Sequence, residues 1–191
     1  MTRVTLHTSE TAPGASRPLL DRLAETSPGL GRTLNLWAAM AGDPMTLAAY
    51  VGIREAIAAH PTLDPKTRAA VALAAGSANG GSYSPPINIR LADRFGWTPE
   101  ETRDIQTGRS IEPRLDALLA AVREAVRNDG RVTASTWEHA ATEWSEQELL
   151  GALTFIVLTV FVDWFAAFVD LELDPGLAPA GAVRSAAGSP A

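Results

Sequence analysis

The sequence predicts an all-α protein. Three observations carry that prediction: alanine dominates, β-branched runs are scarce, and apolar residues recur three and four apart along most of the chain. Apolar residues make up 46% of the 191, enough for a sizeable core, and the length suits one domain with tails. The helical domain is assigned to residues 16–174. Residues 1–15 are expected to be a disordered N-terminal segment, and residues 175–191, rich in Pro, Gly, Ala and Ser, a disordered tail.

A first helix covers Arg17 to Glu25 and ends near Ser27-Pro28-Gly29. The next holds Leu34, Trp37, Ala38 and Met40 and stops at Gly42-Asp43-Pro44. Pro44 suits the first turn of a third helix with Asp43 as its N-cap. That helix runs to about His60 and offers Leu47, Tyr50, Val51, Ile53 and Ile57 for burial. Asp64-Pro65 opens a fourth in the same way, reaching Ala78. The stretch from Asn79 to Pro86 then breaks regularity, and a short helix restarts at Pro86, runs to Arg94 and is closed by Gly96. Thr98-Pro99-Glu100-Glu101 repeats the cap-then-proline pattern for a short helix to Thr107. Glu112 to Arg127 is amphipathic, with Leu115, Leu118, Leu119, Val122 and Val126 on one face. Thr133 to Glu143 and Ser145 to Leu171 complete the set, the last opening on a capping box, Ser145 with Glu148.

The run from Leu149 to Val169 is long and apolar enough to span a bilayer of ~30 Å. Asp163 in its middle would cost roughly 2.5–3.5 kcal/mol there. Its flanks carry Glu146, Glu148, Asp170 and Glu172 instead of Lys or Arg anchors. The run is therefore read as a helix buried on most faces, as at the centre of a helical oligomer, and no membrane partner is expected.

Sixteen Lys and Arg against 22 Asp and Glu give a net charge of −6. With no basic run, that sign argues against nucleic acid and anionic lipid as partners. Cysteine is absent, which removes disulfides, thiolate nucleophiles and sulfur-bound metals together. His7, His60 and His139 are dispersed and lack clustered carboxylates, so neither a catalytic metal nor any other cofactor is expected. Met1 to Gly14 is polar and has no signal-type apolar core, which makes a cytoplasmic location the expectation. Phosphate-cradling loops, nucleophile elbows and EF-hand patterns are likewise missing.

Several pieces agree in order and spacing. They are Asn35-Leu36-Trp37, Asp43-Pro44, Leu47 with Tyr50, Leu63-Asp64-Pro65-Lys66-Thr67-Arg68 and Asn79-Gly80. Gly96 with Thr98-Pro99-Glu100-Glu101 follows, then Trp144 to Leu149, Val162-Asp163-Trp164-Phe165 and Leu173-Asp174-Pro175. On these residues the stretch from Leu34 to Asp174 resembles the alkylhydroperoxidase D-like branch of the carboxymuconolactone decarboxylase superfamily. The resemblance implies a multi-helix bundle assembled as a homotrimer or homohexamer. The family's thiol branch uses Cys-x-x-Cys-x-x-x-His with an upstream Glu: one thiolate attacks the peroxide, the second Cys resolves the sulfenate, and Glu and His move the proton. Here the Glu position is Ala69, the Cys positions are Gly81 and Ser84, and the His position is Asn88. Peroxide reduction by that mechanism is excluded on chemical grounds. The decarboxylase branch keeps a His where Asn88 stands, so its mechanism is departed from too, whereas Tyr83 matches the family's aromatic residue.

Tyr83, Ser84, Asn88 and Asp163 are the candidate catalytic residues, with Ser82, Pro85 and Trp164 as candidate substrate contacts. Ser84 and Asn88 either orient a polar substrate near free helix amides or cap the helix and satisfy local backbone. Pro85-Pro86 either preorganises a pocket or fills a loop. Asp163 either acts as an acid–base group of raised pKa or pairs with an arginine such as Arg68 or Arg90, or lies at a subunit boundary. Trp164 either lines the pocket or is core. Three functions follow in order: a cofactor-independent enzyme of lyase, isomerase or cyclase type on a small organic molecule, a non-catalytic binding or assembly protein, and a peroxidase of the family's type.

Overall fold

The computed structural model describes residues 1–25 and 33–177. These hold nine α-helices: α1 Arg17–Glu25, α2 Asn35–Met40, α3 Pro44–Ala59, α4 Pro65–Ala78, α5 Ser84–Arg94, α6 Pro99–Gln106, α7 Pro113–Arg127, α8 Ala134–Glu143 and α9 Glu146–Phe168. The all-α bundle expected from the sequence is the fold observed. The Ser27-Pro28-Gly29 stop and the tail from 178 onward lie outside the described residues.

Most helices start where a short polar side chain meets the free amides of a first turn. Asp43 accepts from Thr46 N, Asp64 from Lys66 N and Thr67 N, and Thr133 from Thr136 N. Thr98 with Glu101 and Ser145 with Glu148 close reciprocal capping boxes. Proline occupies the first turn of α3 to α7, where its missing N–H costs nothing. α9 ends earlier than the sequence suggests. Leu171 N donates to Ala166 O and Asp170 N to Ala167 O, with Asp170 left-handed at φ 51°. That is a Schellman stop in which Asp replaces the usual Gly.

α4 is the hub, packed against α5, α6, α7 and α9. Its alanines, Ala70, Ala74 and Ala75 among them, are fully buried and let those neighbours approach closely. Two cores result. One joins α4 to α8 with the first half of α9, around Leu73, Ile105, Leu118, Leu119 and Val122. The other joins α1 to α3 with Tyr83 and the second half of α9, around Trp37, Met40, Leu47, Val162 and Ala166.

Two boundaries need correction. Residues 1–15, expected to be disordered, are laid against the domain: Arg3 N donates to Val169 O at 2.8 Å and His7 N to Ala38 O at 2.9 Å. Arg3 also reaches Phe168 O, and the N-terminal ammonium lies 3.4 Å from Asp170. These groups serve carbonyls left free at the C-terminal ends of α2 and α9, where cations are also favoured. Nor does order stop at 174: Leu177 N donates to Asp174 O, and Leu177 packs on the second core.

α9 is the one described helix long and apolar enough to cross a membrane. Within this chain its most apolar window is 39% buried, so the burial on most faces expected at the centre of an oligomer is not supplied by the chain itself. Leu150, Leu153, Val157, Trp164 and Phe168 are exposed along it.

Candidate functional site

α5 begins at Ser84, two residues before the expected start. Its N-terminus lies inside the protein, where four unpaired amides would be costly. Pro85 and Pro86 have no N–H, so the doublet deletes two of those donors, which gives it a purpose the sequence left open. The donor of Ser84 is met from far along the chain, by Asp163 of α9.

Asp163 is 4% exposed. Its Oδ1 accepts from Ser84 N at 3.0 Å, and its Oδ2 from the Ser84 hydroxyl at 2.8 Å and from Asn79 Nδ2 at 3.4 Å. Burial pushes its carboxyl above the ordinary carboxylate range, and the bonds from Ser84 and Asn79 oppose that without cancelling it. Neither arginine proposed as its partner reaches it: Arg90 donates to Gly176 O, and the Arg68 side chain makes no hydrogen bond or ion pair among the described residues. The partner is a hydroxyl and two N–H groups, a neutral cage for a carboxylate.

Glycine at 81 is what makes room for that cage. A Cβ built on Gly81 would collide with both oxygens of Asp163, and one built on Gly76 would collide with the Ser84 hydroxyl. The carboxylate therefore fills the space into which a side chain at the family's first Cys position would project.

Tyr83 is adjacent in sequence but serves the opposite side. Its hydroxyl donates to Asp174 Oδ2 at 2.6 Å and accepts from Leu36 N at 3.2 Å, while Asp174 Oδ1 accepts from Asn35 N at 2.9 Å. Together Tyr83 and Asp174 cap α2, whose N-cap residue, Leu34, has no capping side chain. Burial, and then the bond to Asp174, raise the Tyr83 phenol well above its ordinary range. Tyr83, 1% exposed, is thus held as a structural tether.

Asn88, one turn beyond Ser84, is buried and donates to Ala72 O on α4 at 3.0 Å. That contact lies one turn from Ala69, whereas Gly81 and Ser84 meet each other through Asp163. Among the proposed contacts, Ser82 is exposed and Pro85 is half-buried against Gly76. Trp164 does not line the site within this chain. Successive residues on a helix point about 100° apart, so burying Asp163 turns Trp164 outward, to 67% exposure. His139 is exposed, in keeping with a solvated surface histidine. Among the described residues no cluster of three or more His, Asp or Glu is placed to hold a metal.

Sequence reasoning missed Asn79 and Asp174 as members of these clusters. Neither signals its partner locally, because both contacts span more than eighty positions. It also missed a groove of about 640 Å³ away from Asp163, between the end of α3, the loop at Pro61 and Thr62, and the start of α9.

The sequence model of the carboxymuconolactone decarboxylase family matches residues 44–128. No curated protein matches the chain. Solved structures do. A cysteine-to-alanine variant of the debrominase Bmp8 in complex with 2,3,4-tribromopyrrole shares 18% identity at a TM-score of 0.76, over 93% of this chain and 94% of that one. An alkylhydroperoxidase AhpD core protein described as peroxidase-related, from Ralstonia eutropha JMP134, shares 14% at a TM-score of 0.79, over 92% and 94%. A peroxidase-related protein from Silicibacter sp. TM1040 shares 13% at 0.73, over 90% and 91%. Identities this low speak for the fold alone. The fold is thus that of an alkylhydroperoxidase D-like helical bundle, and with the family match over residues 44–128 and the absence of cysteine it agrees with the resemblance read from the motifs, without Cys-x-x-Cys.

Proposed function

We propose that this thiol-free alkylhydroperoxidase D-like bundle acts on a small organic molecule by acid–base chemistry, as a cofactor-independent lyase or isomerase. One observation carries the proposal: a buried carboxyl of raised pKa, Asp163, stands where the family's first thiol would project, hydrogen-bonded to Ser84 at the second thiol position. A carboxyl in that state is suited to giving or taking a proton near neutral pH. In a decarboxylation the C–C bond breaks, carbon dioxide leaves, the electron pair stays on the substrate carbon, and Asp163 supplies the proton that quenches it. Ser84, whose hydroxyl already donates to Asp163 Oδ2, stabilises the carboxylate that forms. Asn88 and the exposed Ser82 are the neighbouring groups that would orient a polar substrate.

Two assays test this. Purified protein should leave cumene hydroperoxide unconsumed in the presence of dithiol reductant. A carboxylated lactone of the type for which the matching family is named should lose carbon dioxide, with Asp163→Asn slowing it by about ten-fold or more, about 1.4 kcal/mol. Hydroperoxide turnover, or lactone turnover indifferent to Asp163, would refute the proposal.

A second reading, a non-catalytic binding or assembly protein, is favoured by a different observation: the polar groups of Tyr83, Ser84 and Asp163 are engaged with one another or with Asp174. Under either reading the exposed apolar stripe on α9, from Leu153 to Phe168, suits a second copy of the chain, and light scattering should report a trimer or hexamer. Asp163 caged in the second half of α9, between acidic flanks, favours a helix of a soluble assembly over a membrane span.

A further inference from the structure

We infer that the groove between α3 and α9 is a binding site for a small organic carboxylate, separate from the Asp163 cluster and independent of the function proposed for it. Its volume of about 640 Å³ falls in the range of ligand sites. Ile57, Leu150 and Phe155 give it apolar walls, and Arg68 of α4 stands among them with His60 at the rim.

Arg68 is the pointer. Arg22, Arg109 and Arg114 each pair with a carboxylate, to Glu55, Asp116 and Glu148, at 2.6, 3.2 and 2.9 Å. Arg68 is half-buried in the groove and its side chain makes no hydrogen bond, ion pair or ring contact among the described residues. Removing a guanidinium from water without a partner is unfavourable, and its planar fork matches a carboxylate in two parallel hydrogen bonds. The single acidic group in the lining is Glu146, an exposed residue of the first turn of α9. The groove thus offers one unsatisfied cation set in apolar walls. That is the chemistry of an aryl or short alkyl acid: the carboxylate on Arg68, the ring or chain against Leu150 and Phe155.

At one end of the groove α9 carries glycine at 151, where any Cβ would run into the Thr62 hydroxyl, so the loop at Thr62 packs closely on α9 there.

Benzoate and hexanoate, with benzamide as the uncharged control, are the probes. Calorimetric titration of the full chain should show benzoate binding about ten-fold or more tightly than benzamide, about 1.4 kcal/mol. Arg68→Gln should erase that preference, and Arg68→Lys should restore part of it. Thr154→Trp, an exposed position in the lining, should block both probes with folding intact by circular dichroism. Equal binding of benzoate and benzamide, no binding of benzoate at millimolar concentration, or undiminished binding by Thr154→Trp would each overturn the inference.

Discussion

Two carboxylates lie buried in this molecule, and they sit alike but are built for different consequences. Asp163, from the middle of α9, closes the N-terminus of α5; Asp174, just past α9, closes that of α2. In both helices the residue at the N-cap, Tyr83 or Leu34, makes no capping bond of its own. Each carboxylate also accepts a hydroxyl, from Ser84 or from Tyr83. Yet Asp174 binds a phenol packed in a hydrophobic core, whereas Asp163 binds the Ser84 hydroxyl beside Gly81, the two positions that the resemblance aligns with thiols. A buried acid is therefore a weak sign of catalysis by itself. What distinguishes Asp163 is the glycine beside it and the family position it fills.

The largest expected effect falls on the structural member of the pair. Asp174→Ala leaves Asn35 N and the Tyr83 hydroxyl buried without an acceptor, and each such donor costs about 1–3 kcal/mol. Urea denaturation should show a loss of about 3 kcal/mol, with both cores unfolding together. A loss below about 1 kcal/mol would mean that α2 does not depend on this long-range cap.

Next in size is Gly81→Ala, which places a methyl on the Asp163 carboxylate and should cost about 2 kcal/mol by overpacking. Asp163→Ala removes the obstacle, so the double variant should be less unstable than the sum of the singles by about 1 kcal/mol. Strict additivity would show that the carboxylate does not occupy that space. Asn88→Ala should cost about 1 kcal/mol, because it removes one hydrogen bond to a helix carbonyl that already has a helical partner.

This contrast also explains what the sequence could disclose. Asp43, Asp64, Thr98, Thr133 and Ser145 cap helices through residues two or three positions away, so those starts are legible in the chain. So is the all-α class, because helical periodicity is local. α5 was placed two residues late because its cap comes from α9. Reading Pro86 as the first helical residue was reasonable while Ser84 had no visible acceptor. The family resemblance puts Tyr83 in the pocket with Ser84 and Asn88, yet its ring enters the second core. Trp164 stands beside Asp163 in sequence and is turned away by helix geometry. The Arg68 groove gave no signal, since it joins residues from three separate segments.

The smallest effect is a slope. The Asp163 carboxyl lies above its ordinary value of 3.8 because burial penalises its charge. Between 3.8 and its raised value, the folded protein keeps a proton that the unfolded chain has released, so folding stability falls as pH rises through that interval. Asp163→Asn has no such proton. The stability of wild type relative to this variant should therefore decline from about pH 4 upward and level off once Asp163 is ionised in the folded state. Asp43, Asp64, Glu101, Glu124 and Glu148 are shifted the other way by local hydrogen bonds and lose stability as pH falls, but they are common to both proteins and cancel in the difference. A difference that rises with pH, or stays flat, would mean that Asp163 is stabilised as an anion by Ser84 and Asn79. It would then be an ordinary cap like its counterpart on α2, with no proton held ready for chemistry.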